Sequence, residues 1–380
     1  MKLWDRLREL PSATWLLFLA TLVNRAGTMV LPFMALYLIR SLHFTESRAG
    51  LVLAIYGAGA LVAAPVSGRL ADRYGALFIL SAALLSSAAT MLLFPLAHSF
   101  VSVCVMTVLF ALTTEMFRPP ALAMVSMTAP PAQRKAAFAV IRTATNLGMS
   151  LGPALGGFLA SVSFVWLFVI DGVTSIAAAV ILMIWFPKVA KTKSEEVAPR
   201  PVLHGSAIFA DRLLLRFLIA TVPVIIVFFQ HISGMPLFMV QYLGLSPAVY
   251  GLMFTLNTVL LVLVEVPFNL AVSHWSDRKI LGLGSVLIAV GYGAMAFTHN
   301  AWQIAITVLV WTFGEMTLMP GLLSTVSHLA PPDRQGEYMG FFTMTFSISF
   351  IIGPWLGTQL LSHYGPMVLW ITMFAIGMIS

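Results

Sequence analysis

Residues 152–157 read Gly-Pro-Ala-Leu-Gly-Gly, and residues 353–358, in the second half of the chain, read Gly-Pro-Trp-Leu-Gly-Thr. Each stretch lies in a long apolar run and follows a similar polar turn, Ala129-Pro130-Pro131 in the first copy and Ala330-Pro331-Pro332 in the second. The shared offset is 201 residues (353 minus 152). Repeated halves inside apolar runs are typical of membrane proteins built from two helical bundles. The repeat therefore predicts a duplicated helical membrane protein.

Composition places most of the chain in lipid. Hydrophobic residues make up 59% of its 380 residues and charged residues only 9%, whereas a soluble domain has about 25% charged residues. The net charge of +7 could suit nucleic acid, but the basic residues lie in short loops between apolar runs. We therefore expect membrane lipid and no nucleic acid as a partner. Cys104 is the single cysteine, which excludes a disulfide framework and a paired-cysteine metal site.

A membrane helix needs about 20 mostly apolar residues. Turn signals and polar breaks divide the chain into twelve such spans, and the first is interpreted as a retained span rather than a signal peptide. The predicted spans are 12–39, 46–68, 76–97, 99–128, 136–162, 164–186, 212–243, 247–272, 279–298, 300–328, 336–362 and 365–380.

The positions of lysine and arginine predict the orientation. With the N-terminus inside, 16 of the 21 basic residues fall on the cytoplasmic side, and only Arg40 and Arg48 fall outside. We therefore expect a multi-pass protein of the cell membrane with both termini in the cytoplasm. Residues 187–211 form the one long polar stretch, which predicts a linker between a first bundle, 1–186, and a second bundle, 212–380.

The halves align in other places too. Residues 33–38 of span 1, Phe-Met-Ala-Leu-Tyr-Leu, return in span 7 as Phe-Met-Val-Gln-Tyr-Leu at 238–243, with an offset of 205. Because the order of the spans is preserved, the halves are parallel repeats with small insertions or deletions. The predicted fold is an all-α integral membrane protein with twelve transmembrane helices in two six-helix bundles.

Two motifs carry a family resemblance that covers essentially the whole chain. Gly68-x-Leu70-Ala71-Asp72-Arg73-x-Gly75 resembles the loop 2–3 signature of the major facilitator superfamily. Gly148-x-x-x-Gly152-Pro153-x-x-Gly156-Gly157 resembles the span-5 signature of its drug/proton antiporter branch. The resemblance implies the major facilitator fold, alternating access and export. It does not carry a proton role to Arg118, because this chain has Arg118-Pro119-Pro120-Ala121-Leu122 where span 4 of the family often shows Arg-x-x-Gln-Gly.

The glycines of span 5 recur every four residues and form one smooth stripe, and Pro153 bends the helix. We predict a hinge at which the halves rock, with ordinary tight packing as the alternative. The predicted hinge or packing motif comprises Gly148, Gly152, Pro153, Gly156 and Gly157 and, in the second copy, Gly353, Pro354 and Gly357.

The resemblance implies a gate at the turn after span 2, formed by Gly68, Asp72, Arg73 and Gly75. Asp72 could cap a helix N-terminus or pair with an arginine. The alternative is a solvated carboxylate in a turn.

Seven ionisable residues fall inside spans, where an ionised side chain costs about 2.5–3.5 kcal/mol and should face a cavity or a partner. They are Arg25, Glu115, Arg118, Arg142, Asp171, Glu265 and Glu315. Glu115 and Arg118, three residues apart, are expected to share one helix face and to be able to pair. Arg142 and Asn146 are also expected to share a face. Asp171, in the outer part of span 6, is expected to be a structural hydrogen-bonding residue.

Glu315 lies near the middle of span 10, with no lysine or arginine on that span. A carboxylate deprived of water favours its protonated form, which suits a proton carrier. An ion pair with an arginine is the alternative. The surrounding Thr312-Phe313-Gly314-Glu315 resembles the span-10 carboxylate region of some proton-coupled multidrug antiporters. Glu265 and Glu115 are the other candidates for proton coupling.

Through the repeat, Arg25 aligns with Gln230, and Arg118 and Arg142 also align with uncharged residues. We therefore predict a cavity with one basic and one acidic wall. His231 could titrate near neutral pH or serve as a hydrogen-bonding residue, and methionines and aromatic residues could give a plastic lining. The candidate cavity residues are Asn24, Arg25, Met34, Arg118, Arg142, Asn146, Gln230, His231, Met235, Met239, Trp311 and Phe341.

The sequence holds no P-loop, HExxH or GxSxG motif, so we expect neither an enzyme nor a metal site. We predict a monomeric, proton-coupled exporter of small lipophilic or amphipathic compounds that needs the proton gradient and no cofactor. A lipid or glycolipid flippase and a proton-coupled importer are alternatives, because a cavity with both charges also suits zwitterionic or anionic cargo. A membrane receptor or scaffold without turnover is the alternative from another class.

Overall fold

The computed structural model describes residues 10–130, 133–189, 211–272, 274–331 and 334–380. Within these ranges the chain is almost entirely helical and contains no strand. Most of the predicted linker, 187–211, and the basic N-terminal residues lie outside them. The helices are α1 (Ser12–Gly27), α2 (Val30–Arg40), α3 (Glu46–Tyr74), α4 (Ala76–Leu93), α5 (Phe100–Glu115), α6 (Arg118–Thr128), α7 (Arg134–Val162), α8 (Val165–Val189), α9 (Arg212–Phe228), α10 (Gly234–Leu237), α11 (Pro247–Ala271), α12 (Asp277–Ala294), α13 (Ala301–Leu329) and α14 (Gln335–Ile379).

Helix lies at each of the twelve predicted spans. In the described part of the chain, ten helical runs are long and apolar enough to cross a membrane. One of these runs, Tyr338–Ile379, contains two predicted spans, because Gly365 has a φ of 82° and a ψ of 176° and interrupts the helix. Span 5 corresponds to α7, whose 29 residues extend over about 43 Å at 1.5 Å per residue. The fold is therefore the predicted all-α membrane architecture.

Packing divides the chain into two compact units. The first contains Met1–Leu31 and Ala58–Pro199, and the second contains Pro32–Gly57 and Arg200–Ser380. Residues from the ends of spans 1 and 2 therefore pack with the second unit. The domain boundaries predicted along the chain stay a prediction.

Each unit has its own apolar core. In the first unit, Leu17, Leu80 and Leu182 are almost completely buried in one cluster. In the second, the largest fully buried side chains include Tyr250, Tyr292 and Trp370. The helices that carry the ionisable residues pack around these two cores.

Spans 1, 4 and 7 are interrupted where we expected continuous helices. A proline has no N–H to donate to the carbonyl four residues earlier, and its ring clashes with that carbonyl. Each interruption lies four residues before such a proline: Thr28 before Pro32, Met116 before Pro120, and Ile232 before Pro236. In span 7 the chain passes through a 3₁₀ turn, Phe229–Ile232, and resumes at α10.

Candidate functional site

The second unit contains a polar cluster around Glu315 of α13. Asn257 of α11 donates a hydrogen bond from Nδ2 to Glu315 Oε2 at 2.8 Å, and the same amide lies 3.1 Å from Thr312 Oγ1. Glu265 lies close enough for its charge to act on Glu315. Among the described residues no arginine forms a salt bridge with Glu315, so the alternative of an ion pair is not seen. The cluster brings together two of the three predicted proton-coupling residues.

Close packing of α12 and α13 fixes the backbone that carries Glu315. A Cβ atom on Gly314 would lie 2.8 Å from the backbone nitrogen of Ile288 and 3.0 Å from the carbonyl oxygen of Gly284. A Cβ on Gly284 would lie 2.9 Å from the nitrogen of Leu318. Because small residues let the two backbones touch, the position of the carboxyl group is set by helix contact rather than by a flexible loop.

The break in span 7 is surrounded by aromatic side chains. The His231 ring lies 4.7 Å from the ring of Phe228 and 6.4 Å from that of Trp311. Its Nδ1 lies 2.7 Å from the Phe228 carbonyl oxygen, to which Tyr292 also donates at 3.0 Å. Tyr250 donates to the His231 carbonyl at 2.8 Å. Side chains thus satisfy carbonyls near the break, as a helix broken inside a membrane requires. A coupling role for His231 stays a prediction.

Gln230, predicted as a cavity residue, lies against the second copy of the glycine motif. Its Nε2 donates to the carbonyl of Gly353 at 2.8 Å and to that of Ile226 at 3.2 Å. Its side-chain oxygen occupies the place that a Cβ on Gly357 would take. Because the glycines of span 11 have no side chain, they leave room for the Gln230 side chain at the break of span 7.

In the first unit, the first copy of the glycine motif lies at the break of span 1, as the second copy lies at the break of span 7. A Cβ on Gly148 would lie 2.5 Å from the Arg25 Cβ and 2.8 Å from the nitrogen of Ala26. A Cβ on Gly152 would lie 3.1 Å from the carbonyl oxygen of Thr28. Helix α7 thus contacts the backbone of α1 at the break of span 1. This contact lies within one unit, and the predicted rocking between halves stays a prediction.

The first unit also contains a small polar pocket at the break of span 1. Asn24 donates to Ser175 Oγ at 3.1 Å. The Asp171 carboxyl group lies near the backbone N–H groups of Met29 and Val30, and near enough to Arg25 for its charge to act on it. The pocket is lined by Asn24, Thr28, Ala83, Leu84, Ser87, Thr113, Thr114, Phe117 and Asp171.

Asp171 lines the pocket but is not among the cavity residues predicted from the sequence. Its carboxylate inside a span was a usable signal, but it was assigned to structural hydrogen bonding. The structure places Asp171 in the wall of the pocket, near backbone N–H groups, and its structural hydrogen-bonding role stays a prediction. Arg25 lies nearby, with its guanidinium 5.0 Å from the centre of the Phe117 ring.

The other ionisable candidates of the first unit lie on different segments. Met116 and Phe117, between Glu115 and Arg118, have φ and ψ values in the right-handed helical region, so the predicted shared face of Glu115 and Arg118 stays a prediction. Helix α5 nevertheless ends at Glu115, and α6 begins at Arg118. The physical reason is Pro120, which leaves the Met116 carbonyl without a helical donor. Arg142 and Asn146 lie four residues apart on the continuous helix α7, as their predicted shared face requires.

The gate motif differs from expectation in its local structure. Helix α3 continues to Tyr74, so Asp72 and Arg73 lie in its last turn rather than between helices. The direction change falls at Gly75, whose φ of 92° favours glycine. Gly75 is also the N-cap position of α4, and no side chain caps that helix; capping by Asp72 is therefore wrong. Asp72 is exposed, and its gate role stays a prediction.

The predicted lining residues are mostly buried in the second unit. Met34, Met235, Met239 and Trp311 are each at most 3% exposed, and Phe341 is half-buried. Such burial indicates packed interior, and a role in contacting cargo stays a prediction.

Two helical units, interrupted spans and buried ionisable groups define a multi-pass membrane protein of the secondary-transporter class. The chain belongs to the Major Facilitator Superfamily, whose family model matches residues 17–242 and 231–380.

Relatives match nearly the whole chain at low identity. An uncharacterized MFS-type transporter, YqjV of Bacillus subtilis, is 25% identical over 371 residues, which are 96% of this chain and 89% of the relative. Multidrug resistance protein MdtH of Aeromonas hydrophila is 23% identical and covers 98% of this chain and 94% of its own length. Quinolone resistance protein NorA of Staphylococcus aureus is 23% identical, and the match covers 86% of this chain and 84% of the relative.

Solved structures share the fold. A POT family transporter in complex with a thioalcohol-conjugated peptide has a TM-score of 0.80 at 13% identity, covering 97% of this chain and 94% of its own. A mutant of the nucleoside transporter NupG has a TM-score of 0.78 at 13% identity, and the match covers 96% of this chain and 97% of that structure. These structures show the fold alone, whereas the family match and the transporter relatives identify the molecule as a transporter of this superfamily.

Proposed function

We propose that this transporter exports small lipophilic or amphipathic compounds in exchange for protons. The observation that carries the proposal is the Glu315 carboxyl group, half-buried on a membrane helix and hydrogen-bonded to Asn257 at 2.8 Å. We further propose a monomer in the cell membrane, with both termini in the cytoplasm and the proton gradient as the energy source without a cofactor.

Glu315 has the chemistry that proton exchange requires. A donated hydrogen bond, such as that from the Asn257 amide, favours an ionised carboxylate, whereas exclusion of water favours a neutral acid. These opposing effects allow a change in solvent access to load or release a proton. In the proposed cycle, Glu315 takes a proton from outside and releases it inside, and the ionised form favours cargo binding from the cytoplasm.

Relatives support the direction and the cargo class. The names of MdtH and NorA describe multidrug and quinolone resistance, which fits removal of toxic compounds from the cell. A fourth relative, from Planococcus maritimus and 24% identical over 366 residues, is named a Na(+), Li(+), K(+)/H(+) antiporter. The span-5 glycine motif is a further reason to favour exchange over import.

The test is proton-driven efflux of a fluorescent quinolone from proteoliposomes that contain the purified protein. The Glu315→Gln variant keeps the size and hydrogen-bonding capacity of the side chain but cannot exchange a proton. We expect efflux driven by a pH gradient to fall to the background of empty liposomes. Exchange of labelled for unlabelled quinolone, without a gradient, should persist because it needs no net proton movement.

The matched control is Glu315→Asp, which retains a carboxyl group and should recover part of the gradient-driven efflux. Full gradient-driven efflux in Glu315→Gln would overturn the assignment. Proton movement in the same direction as cargo would identify an importer, and movement of a labelled lipid but no quinolone would identify a flippase. Binding without any flux would identify the receptor or scaffold.

A further inference from the structure

The first unit contains a buried carboxyl group that the proposed cycle does not use. Asp171 lies on α8 and is only 5% exposed. It forms part of the wall of the polar pocket, beside Asn24 and Thr28 of the interrupted span 1. Buried ionisable groups in membrane segments are costly, which makes each of them a candidate for function.

The repeat relates this pocket to the cluster around Glu315. Glu315 minus the offset of 201 gives Thr114, and Thr114 lines the pocket of Asp171. Asp171 plus 201 gives Thr372, so span 12 has no matching carboxylate. Each unit thus has a buried or half-buried carboxyl group near a related position, Asp171 of span 6 in the first unit and Glu315 of span 10 in the second. A second carboxyl group lies nearby in each unit, Glu115 next to Thr114 and Glu265 near Glu315.

We propose that Asp171 is a proton-binding site of the first unit, separate from Glu315. Its ionised form lies beside the N–H groups of Met29 and Val30 and attracts the charge of Arg25. Uptake of a proton converts the carboxylate to a neutral acid, which accepts hydrogen bonds more weakly and no longer attracts the guanidinium. Proton binding therefore loosens the contact between α8 and the break of span 1.

Hydroxyl groups in the pocket wall can pass a proton to the site. Ser87 Oγ and Thr114 Oγ1 lie 3.3 Å apart and form a hydrogen bond, and Thr113 lines the same space. The pocket has room for about one water molecule. A water molecule beside these hydroxyls would connect Asp171 to the polar groups of α4 and α5.

The charged surroundings of Asp171 come mainly from α1, through Arg25. Helices α4 and α5 contribute Ser87, Thr113 and Thr114 to the pocket and no titratable lining residue among those described. Three further ionisable groups lie on neighbouring segments: Glu115 follows Thr114, Arg118 follows Phe117, and Arg142 lies on an exposed face of α7. Arg25 is therefore the side chain whose removal should most favour the protonated acid.

Infrared difference spectroscopy can detect the proton on Asp171 without any cargo. The protein is labelled with aspartate that carries ¹³C in the side-chain carboxyl group, and spectra are compared between about pH 9 and pH 5, where aspartates in water, with a pKa of about 3.9, remain ionised. We expect a carbonyl band of a protonated acid that shifts with the label, disappears in Asp171→Asn and persists in Glu315→Gln.

A second variant tests the proposal independently, even if Asp171→Asn does not fold. Arg25→Gln removes the facing charge and should raise the pH at which the band is half-developed by about one unit, a tenfold gain in proton affinity. Arg216→Gln, on α9 in the second unit, is the matched control and should leave that pH unchanged.

The absence of a label-sensitive band in the folded wild-type protein would overturn the proposal, and so would a band that remains in folded Asp171→Asn. Asp171 would then be a structural cap only. Because the experiment measures proton binding and not transport, this failure is distinguishable from failure of the role proposed for Glu315.

Discussion

At the scale of single residues, glycines from the two sequence motifs have different surroundings. Gly148 lies against the backbone of α1, where an added Cβ would approach the Ala26 nitrogen to 2.8 Å. An added Cβ on Gly68 of α3 would meet no atom within 4 Å. The sequence could identify both as motif glycines, but the partner that requires a small residue comes from a helix more than a hundred residues away.

This contrast predicts opposite effects of the same substitution. Gly148→Ala should lower the free energy of unfolding by about 1–3 kcal/mol, because backbone atoms of α1 would have to move. Gly68→Ala should be neutral or raise it by up to about 1 kcal/mol, because alanine favours the helix. Unfolding of the purified protein in detergent micelles, followed by circular dichroism, measures both. Equal effects of the two substitutions would contradict the close contact at Gly148.

At the scale of secondary-structure elements, the twelve spans could be predicted from apolar length and turn signals, but their interruptions could not. The same residue type lies at the breaks and inside intact helices: Pro32, Pro120 and Pro236 follow breaks, whereas Pro153, Pro320 and Pro354 lie within helices. The difference depends on which groups satisfy the carbonyls that lose their donors. In span 7, hydroxyls of Tyr250 and Tyr292 donate to the carbonyls of His231 and Phe228 beside the break, and such distant partners leave no local signal.

Helix α9 has a start that the sequence does mark. Asp211 accepts the backbone N–H groups of Leu213 and Leu214, both at 3.0 Å, and the hydroxyl of Tyr338 at 2.6 Å. The Tyr338 hydroxyl, followed by the Leu214 amide, holds the pKa of Asp211 below its ordinary value. The ionised carboxylate therefore connects the start of α9 to α14.

Loss of this cap should have a defined pH dependence. Asp211→Ala should lower the free energy of unfolding by about 1 kcal/mol at neutral pH. Because the folded-state pKa of Asp211 is lowered, its stabilising effect is complete above the unfolded value of about 3.9 and is lost as the pH falls through the folded value. The difference from wild type should thus shrink below about pH 4. Tyr338→Phe, which keeps both amide bonds, should show a smaller loss; a difference independent of pH would contradict the role of the charge.

At the scale of the whole molecule, the sequence predicted two bundles divided at the linker, whereas packing groups Pro32–Gly57 with the second unit. Polar contacts hold this segment there. Arg40 donates to the Val240 carbonyl at 3.2 Å, and Ser47 donates to Gln359 Oε1 at 3.0 Å. Such a grouping could not be predicted from chain order, because it depends on contacts about 200 and 312 residues apart in sequence.

The segment Pro32–Gly57 also contacts the rest of the second unit through the Glu46 carboxylate and through close helix packing. Tyr242 donates to Glu46 Oε1 at 3.2 Å. Gly50 of α3 lies so close to α14 that an added Cβ would come within 2.9 Å of the Thr358 Cβ. If spans 1–6 move as one body during alternating access, these contacts must break in every cycle.

A reversible cross-link between Gly50 and Thr358 tests this requirement. A disulfide needs a Cβ–Cβ distance of about 3.5–4.5 Å, so a small local adjustment allows Gly50→Cys and Thr358→Cys to join. In a Cys104→Ala background, which removes the single native cysteine, oxidation of the double variant should stop quinolone efflux and reduction should restore it. Each single variant should be unaffected by oxidant. Efflux at the wild-type rate from fully cross-linked protein would mean that Pro32–Gly57 stays with the second unit throughout the cycle, and that spans 1 and 2 bend near their midpoints instead of moving rigidly.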